Sequence, residues 1–263
     1  MRVVEVEAKR LIAIGDFHIG AAACAEKELE HAIENIMKLS DAKVIVMGDL
    51  CEFATRHSIG NLFDQVLDPT SQYLEARYLL GRLRRKIVGI LSGNHEGRVA
   101  YESGLSVPRL LADELHVPYL GGRALIRWKV GGMTYTFPVT HGSGAATTLS
   151  GRINAAERAL RVAPDADGIL YGHFHELNYV RLPVFRSGRV TARYIIFTGS
   201  FLSGAEYANA RNYPPAVVGY PILTANRHGL YITERILNIG YDHEANLLPG
   251  QERQEANKQA AEW

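Results

Sequence analysis

Five short apolar runs in this chain stop at the same kind of chemistry. RLIAI (10–14) leads into Gly15-Asp16-Phe17-His18, and KVIVM (43–47) into Gly48-Asp49. KIVGIL (86–91) is followed after one serine by Gly93-Asn94-His95-Glu96. MTYTFPVT (133–140) meets His141-Gly142, and GILY (168–171) meets Gly172-His173-Phe174-His175. Runs of this length, rich in β-branched residues and bounded by glycine, read as strands. The carboxyl edge of an α/β sheet is where binding sites form. A fold compatible with this chain must therefore bring five strand ends to one place.

Between the runs lie helical patterns. EKELEHAIENIMKLS (26–40) carries Leu29, Ile33, Ile36 and Met37 at helical spacing, and TSQYLEARYLLGRLRR (70–85) follows the next run. VPRLLADEL (107–115) has Pro108 in its first turn, where a missing N–H costs nothing. From about residue 117 strand-like segments dominate: ALIRWKV, MTYTFPVT, GILYG, LNYVRLPVF and VTARYIIFTG, with one helix around 151–162. GLYITERILNIG (229–240) reads as a last strand pair, and the polar end from about 245 to 263 as a tail. No repeat or low-complexity linker divides the chain, so the expectation is a single α/β domain over 1–263, with two sheets face to face and helices outside.

The 29 Lys+Arg and 28 Asp+Glu leave a net charge of +1, which argues for no general attraction to polyanions. The first residues lack the pattern of a secretory signal, and no run of about 18 apolar residues predicts a membrane span. Two cysteines make neither a disulfide framework nor a zinc ribbon. A cytoplasmic location with reduced thiols is the expectation, with Cys24 as a packing residue and Cys51 as a buried thiol.

The donors at the strand ends are imidazoles, carboxylates and an amide, without thiolates. Such a set suits manganese, iron, zinc or nickel. Asp16, His18, Asp49, Asn94, His141, His173 and His175 are too many for one ion and suit two divalent ions about 3.5–4 Å apart. One carboxylate must bridge such a pair, and Asp49, leaving its strand alone, is the natural candidate. The glycines before Asp16, Asp49, Asn94 and His173, and after His141, fit the tight turns such a cage demands.

In order, these elements read DFH, GDLCE, GNHE, HG and GHFH, followed by FTGS (197–200). The pattern resembles the calcineurin-like metallophosphoesterases, and DFHIG with GDL resembles their bacterial, phage-encoded and DNA-repair nuclease members. The resemblance implies an α/β four-layer αββα sandwich of two mixed sheets flanked by helices. It implies one ion on Asp16, His18, Asp49 and His175 and another on Asp49, Asn94, His141 and His173. Two divalent ions, manganese first, would activate a hydroxide that attacks phosphorus in line. His95 would face the substrate and protonate the departing alkoxide, with Glu52 and Glu96 orienting the ligands or that imidazole. Many members have aspartate where Glu52 and Glu96 stand, a difference in reach and not in charge.

Three stretches are candidates to read the substrate: the segment 53–65 with Arg56 and His57, then Arg98, then the Tyr-, Pro- and Gly-rich segment 200–224 with Tyr207, Tyr213 and Tyr220. Each also has an ordinary reading: a surface loop, a structural ion pair for Arg98, and tyrosines packing a proline-rich loop. RLRRK (82–86) suits a helix C-terminus, while His31, His116, His228 and His243 stand without motifs. The expected partner is a phosphate ester, a phosphodiester of nucleotide or nucleic-acid type, with no membrane and no stated oligomeric state. A phosphomonoesterase or protein phosphatase is the main rival, although GDLCEFA departs from the Gly-Asp-Tyr-Val-Asp-Arg-Gly of that branch. A non-catalytic scaffold, which should have lost ligands, is the remote one.

Overall fold

Apolar residues fill both faces of β2 (Arg10–Ile14), the mark of a strand covered on two sides. Leu11 and Ala13 point into a core between two sheets, while Ile12 and Ile14 point into a second core beneath helices. The structure is a computed structural model and describes residues 1–55, 58, 64–186, 188–203, 217–226 and 229–238.

One sheet runs β12 (Gly229–Ile236), β11 (Gly219–Asn226), β2, β3 (Ala42–Val46), β4 (Ile87–Leu91) and β5 (Tyr119–Gly121). Strands β2 to β5 are parallel, whereas β11 is antiparallel to both β2 and β12. The other sheet runs β1 (Arg2–Glu7), β6 (Arg123–Val130), β7 (Met133–Thr140), β8 (Gly168–Tyr171), β10 (Arg189–Thr198) and β9 (Leu177–Arg186). It too is mixed: β7, β8 and β10 are parallel, and β6–β7 and β9–β10 are antiparallel hairpins.

Helices close the two outer faces. Leu29, Ala32, Ile33 and Ile36 of α1 (Glu26–Lys38) cover the first sheet with Leu79, Leu80 and Leu83 of α2 (Pro69–Leu83) and Leu111 of α4 (Val107–Leu115). Ala156 and Leu160 of α5 (Leu149–Leu160) cover Ile169, Tyr171 and Phe197 on the second. Between the sheets Ile45, Met47, Trp128, Phe137, Leu170 and Ile196 interdigitate. The architecture is the expected four-layer α/β sandwich. Capping follows sequence: Asp68 accepts from Thr70 and Ser71 N–H ahead of Pro69, and Thr148 accepts from Gly151 N–H.

Several expectations need correction. Met37 is 44% exposed, so the buried stripe of α1 uses Ala32 instead. Residues 229–236 form one strand, and its partner β11 comes from the segment read as a loop. Asn94–Ser103 forms a helix, α3, which the sequence pattern does not predict. The tail from about 245, with His243 and His228, lies outside the described residues. Among the described residues no helix is long and apolar enough to cross a membrane.

Candidate metal centre

The carboxyl ends of β2, β3 and β4 in one sheet and of β7 and β8 in the other open onto the same cleft. Asp16 and His18 follow β2, Asp49 follows β3, and Asn94 and His95 begin α3 beyond β4. His141 follows β7 directly, and His173 and His175 follow β8. Presenting these side chains inward takes unusual backbone. Asp16, His18, Asp49, His173 and His175 hold φ of +50°, +52°, +48°, +69° and +52°. Among the described non-glycine residues only Phe53 and His116 share that region, and His116 does so as the C-cap of α4. Each such residue costs of order 1–3 kcal/mol and persists only where its surroundings enforce it, as functional sites do.

The enforcing contacts are visible. Ser200 Oγ and Phe201 N–H donate to the Asp16 carbonyl (3.1 and 2.8 Å), which gives the Gly-Ser turn after β10 its place. His173 N–H donates to the Asp16 carboxylate (3.2 Å), and His95 N–H donates to Asp49 Oδ1 (2.8 Å). That last bond occupies Oδ1 and leaves Oδ2 of Asp49 to the cleft.

Donor atoms then converge. Asp16, His18 and His175 form one group with ligand atoms within 4.8 Å of one another, and Asp49, His141 and His173 form another. His18 Nε2 lies 3.1 Å from His175 Nε2, which is 3.4 Å from Asp16 Oδ1. His141 Nε2 lies 3.1 Å from Asp49 Oδ2 and 3.0 Å from Asn94 Oδ1. The other ring nitrogens are committed outward: His18 Nδ1 to Glu52 Oε2 (2.9 Å), His141 Nδ1 to the Met47 carbonyl (2.9 Å), and His173 Nε2 to the Gly144 carbonyl (2.7 Å). Donating a proton outward leaves the inward nitrogen as a lone pair, the arrangement metal-binding histidines use. Lone pairs so close repel unless a cation lies between them, and N/O donors of this kind fit a divalent ion. His18, Asp49 and His95 make a third, overlapping group.

The electrostatics say the same. Burial pushes the Asp49 carboxyl up, but His141, His95 and His18 more than reverse it and hold it well below the usual range. Burial would lower His141, yet Asp49 and Asp16 drive it up to about 10. Two carboxylates at 0% and 1% exposure require positive charge beside them, and a bound metal competes with that proton. His95 goes the other way: burial and the neighbouring His18 push it down to about 4, so its ring is neutral in the free site.

Glu52 and Glu96 differ from each other. Glu52 orients His18 with its carboxylate and accepts from His95 Nδ1–H with its backbone carbonyl (2.7 Å). Glu96 touches no imidazole; it accepts N–H groups of Gly93 and Asp49 at Oε2 (3.0 and 3.1 Å) and of Leu50 and Cys51 at Oε1 (2.6 and 3.4 Å). Each oxygen serves two donors, so an amide at this place turns its NH2 on two N–H groups whichever way it faces. Burial and the Asp49 charge push Glu96 up to about 7, so the comparison belongs at pH 8. Urea unfolding of Glu96→Gln at pH 8 should show a loss of about 3 kcal/mol, from two buried donors left unsatisfied.

Gly93 and Gly48 meet backbone to backbone. A Cβ on Gly93 would stand 2.0 Å from Asp49 Oδ1, and one on Gly48 (φ +92°) would stand 2.5 Å from Gly93 N. Gly93→Ala must displace the Asp49 carboxylate. Its manganese content after dialysis should fall well below that of the parent protein, with about 2 kcal/mol of stability lost to overpacking.

Arg98 makes no ion pair with a carboxylate among the described residues. Its terminal nitrogens lie 3.3 and 3.2 Å from Nδ1 and Nε2 of His95, and it donates to Ser58 Oγ (3.2 Å). Tyr220 is 1% exposed in the core beneath the helices and cannot stack on a substrate. Arg56, His57, Tyr207 and Tyr213 lie outside the described residues. Cys51 is buried, and desolvation lifts its thiol well above the usual range, which makes it unreactive. Sequence reasoning missed Tyr101, which stands 92% exposed on α3; the only available signal was its spacing of seven from Asn94.

No protein-family model matches the chain, and no curated protein matches it. Solved structures do. Zinc-complexed Vps29 from Entamoeba histolytica is 17% identical with a TM-score of 0.50, over 88% of this chain and 94% of that one, a likeness of fold. Vacuolar protein sorting 29 from Cryptosporidium parvum is 16% identical (TM-score 0.44; 87% and 97% covered). A predicted phosphoesterase from Streptococcus pneumoniae is 14% identical (TM-score 0.41; 92% and 94% covered).

Proposed function

We propose that this chain is a metal-dependent phosphoesterase of the calcineurin-like kind, acting on phosphodiesters of nucleotide or nucleic-acid type. The observation that carries the reading is the pair of converging donor groups, one around Asp16 and one around Asp49, with His95 beside them. Two divalent ions bound there, one on Asp16, His18, Asp49 and His175 and one on Asp49, Asn94, His141 and His173, would acidify an attacking water and neutralise phosphoryl oxygens. Manganese is the first choice, with iron, zinc or nickel as alternatives. The zinc in the Entamoeba structure supports a divalent ion in this fold.

The residues of the chain supply the rest. With Nδ1–H given to the Glu52 carbonyl, His95 keeps Nε2 on the cleft side, 3.9 Å from Asp49 Oδ2. In the free protein that ring is neutral. A phosphoryl group beside it adds negative charge, which favours the imidazolium. As the bond from water oxygen to phosphorus forms and the bond to the leaving oxygen breaks, His95 passes its Nε2 proton to that oxygen. Arg98, lying along the ring, adds a fixed positive charge for the phosphoryl oxygens.

Hydrolysis of bis-p-nitrophenyl phosphate and p-nitrophenyl phosphate with added Mn²⁺, alongside metal analysis, tests the reading. Faster diester cleavage supports it. Preference for the monoester replaces it with a phosphomonoesterase. A protein that takes up no metal from excess Mn²⁺ removes its basis altogether.

A further inference from the structure

Asn94, Arg98 and Tyr101 stand at i, i+4 and i+7 on α3, one stripe that begins at the donor cleft. At 1.5 Å per residue the stripe is about 10 Å long. Helical side chains lean toward the N-terminus, so Tyr101 and Arg98 lean toward the donors. Along this stripe runs a groove of about 300 Å³, lined among the described residues by Thr55, Asn94, Gly97, Arg98, Tyr101 and Glu102. That is the small end of the range for ligand sites. A Cβ on Gly97 would meet nothing within 4 Å, so the groove has open room in its middle.

The chemistry along the groove is ordered. At the inner end Arg98 is a half-buried guanidinium hydrogen-bonded to an imidazole and a hydroxyl; it helps to hold the Glu52 carboxyl down but makes no ion pair with a carboxylate among the described residues, so its N–H groups can still grip an anion. Beyond it the Tyr101 ring is 92% exposed, an aromatic face that the core does not use. Glu102 follows. Its carboxylate would repel a second phosphate and accept from hydroxyl or amine groups. A nucleotide has a phosphate at one end, a neutral sugar in the middle and, at the other end, an aromatic base with hydrogen-bonding edges.

We infer that the outer stripe of α3 is a nucleoside subsite, in which a base stacks on Tyr101 while Arg98 holds the phosphate joined to it. This deepens the phosphoesterase reading and rests on it for the position of that phosphate. Stacking on an exposed tyrosine is sequence-tolerant, because every base offers a π-face. The subsite therefore selects for the presence of a base rather than for its identity.

Equilibrium binding to the manganese-loaded protein tests the inference without requiring turnover. The probes are thymidine 5′-monophosphate, 2-deoxyribose 5-phosphate and phenyl phosphate, measured by calorimetry. Thymidine monophosphate should bind about tenfold tighter than the sugar phosphate, the size of one base–aromatic stack. Tyr101→Ala should remove that ratio and Tyr101→Phe should keep it, while Arg98→Gln should weaken all three probes. Tyr78→Ala, an exposed aromatic on α2, should keep the ratio. Equal affinity for nucleotide and sugar phosphate, phenyl phosphate binding as tightly as the nucleotide, or a ratio indifferent to Tyr101→Ala would each overturn the subsite. Base-dependent binding in a protein that cleaves neither aryl ester would leave the subsite standing and sink the phosphoesterase reading instead.

Discussion

Asp49→Asn should abolish metal-dependent hydrolysis, lowering kcat/KM by roughly a thousandfold or more. The change is isosteric, so its effect comes from charge. Oδ1 already accepts from His95 N–H, and Oδ2 faces His141 at 3.1 Å. An asparagine must give its oxygen to the His95 N–H, which leaves an NH2 where the carboxylate presented a lone pair. One negative charge and one donor are lost at the same atom. Metal analysis after dialysis against Mn²⁺ should show the loss directly. His141 reports it independently: with the Asp49 charge removed, its titration, followed by NMR in the metal-free protein, should fall from about 10 toward the ordinary imidazole value. Full metal content together with parental activity in Asp49→Asn would remove Asp49 from the site.

His95→Asn should cost about 10²–10⁴-fold on an alkyl phosphodiester, the usual range for removing a general acid. The same substitution should cost far less on a p-nitrophenyl ester, because nitrophenolate departs without a proton. That difference between leaving groups is the diagnostic result. An equal loss on both esters would assign His95 to charge stabilisation or to the third donor group it forms with His18 and Asp49. The pH profile adds a sign. A bound phosphoryl group favours the imidazolium, so the basic limb of kcat should lie above that of kcat/KM.

The convergence of these side chains was legible in sequence because metal chemistry restricts residue type and the strand ends restrict position. All seven expected donors reach one cleft. The helices that bury an apolar stripe were legible for the same kind of reason, and α4 runs from Val107 to Leu115 as its pattern predicts. α3 was not. Of its residues only Glu96 is buried, so it has no apolar period to read; Glu96 and the turn around Gly93 hold its first turn in place. Tyr101 stayed hidden with it, since a helical stripe is visible only once the helix is. β11 was obscured by Pro221 and by the Pro214-Pro215 pair before it, and β1 by a partner, β6, that lies 122 residues away along the chain (Arg2 opposite Ala124). Glu96 is expected to orient a ligand or the imidazole, and it holds Asp49 only through the backbone; its bonds to four backbone N–H groups follow from the packing of two turns, which sequence spacing does not encode.

The donors belong to two different sheets, and that has a mechanical consequence. Asp16, His18, Asp49 and Asn94 extend from one, His141, His173 and His175 from the other. Away from the cleft the sheets are joined by Trp128, Phe137 and their neighbours, a contact without direction that tolerates small sliding. A divalent ion held at the cleft would act as a rivet through both plates. Loading it should stiffen the carboxyl edge more than the rest, and chelation should release the His141 and His173 loops to hydrogen exchange before the central strands open.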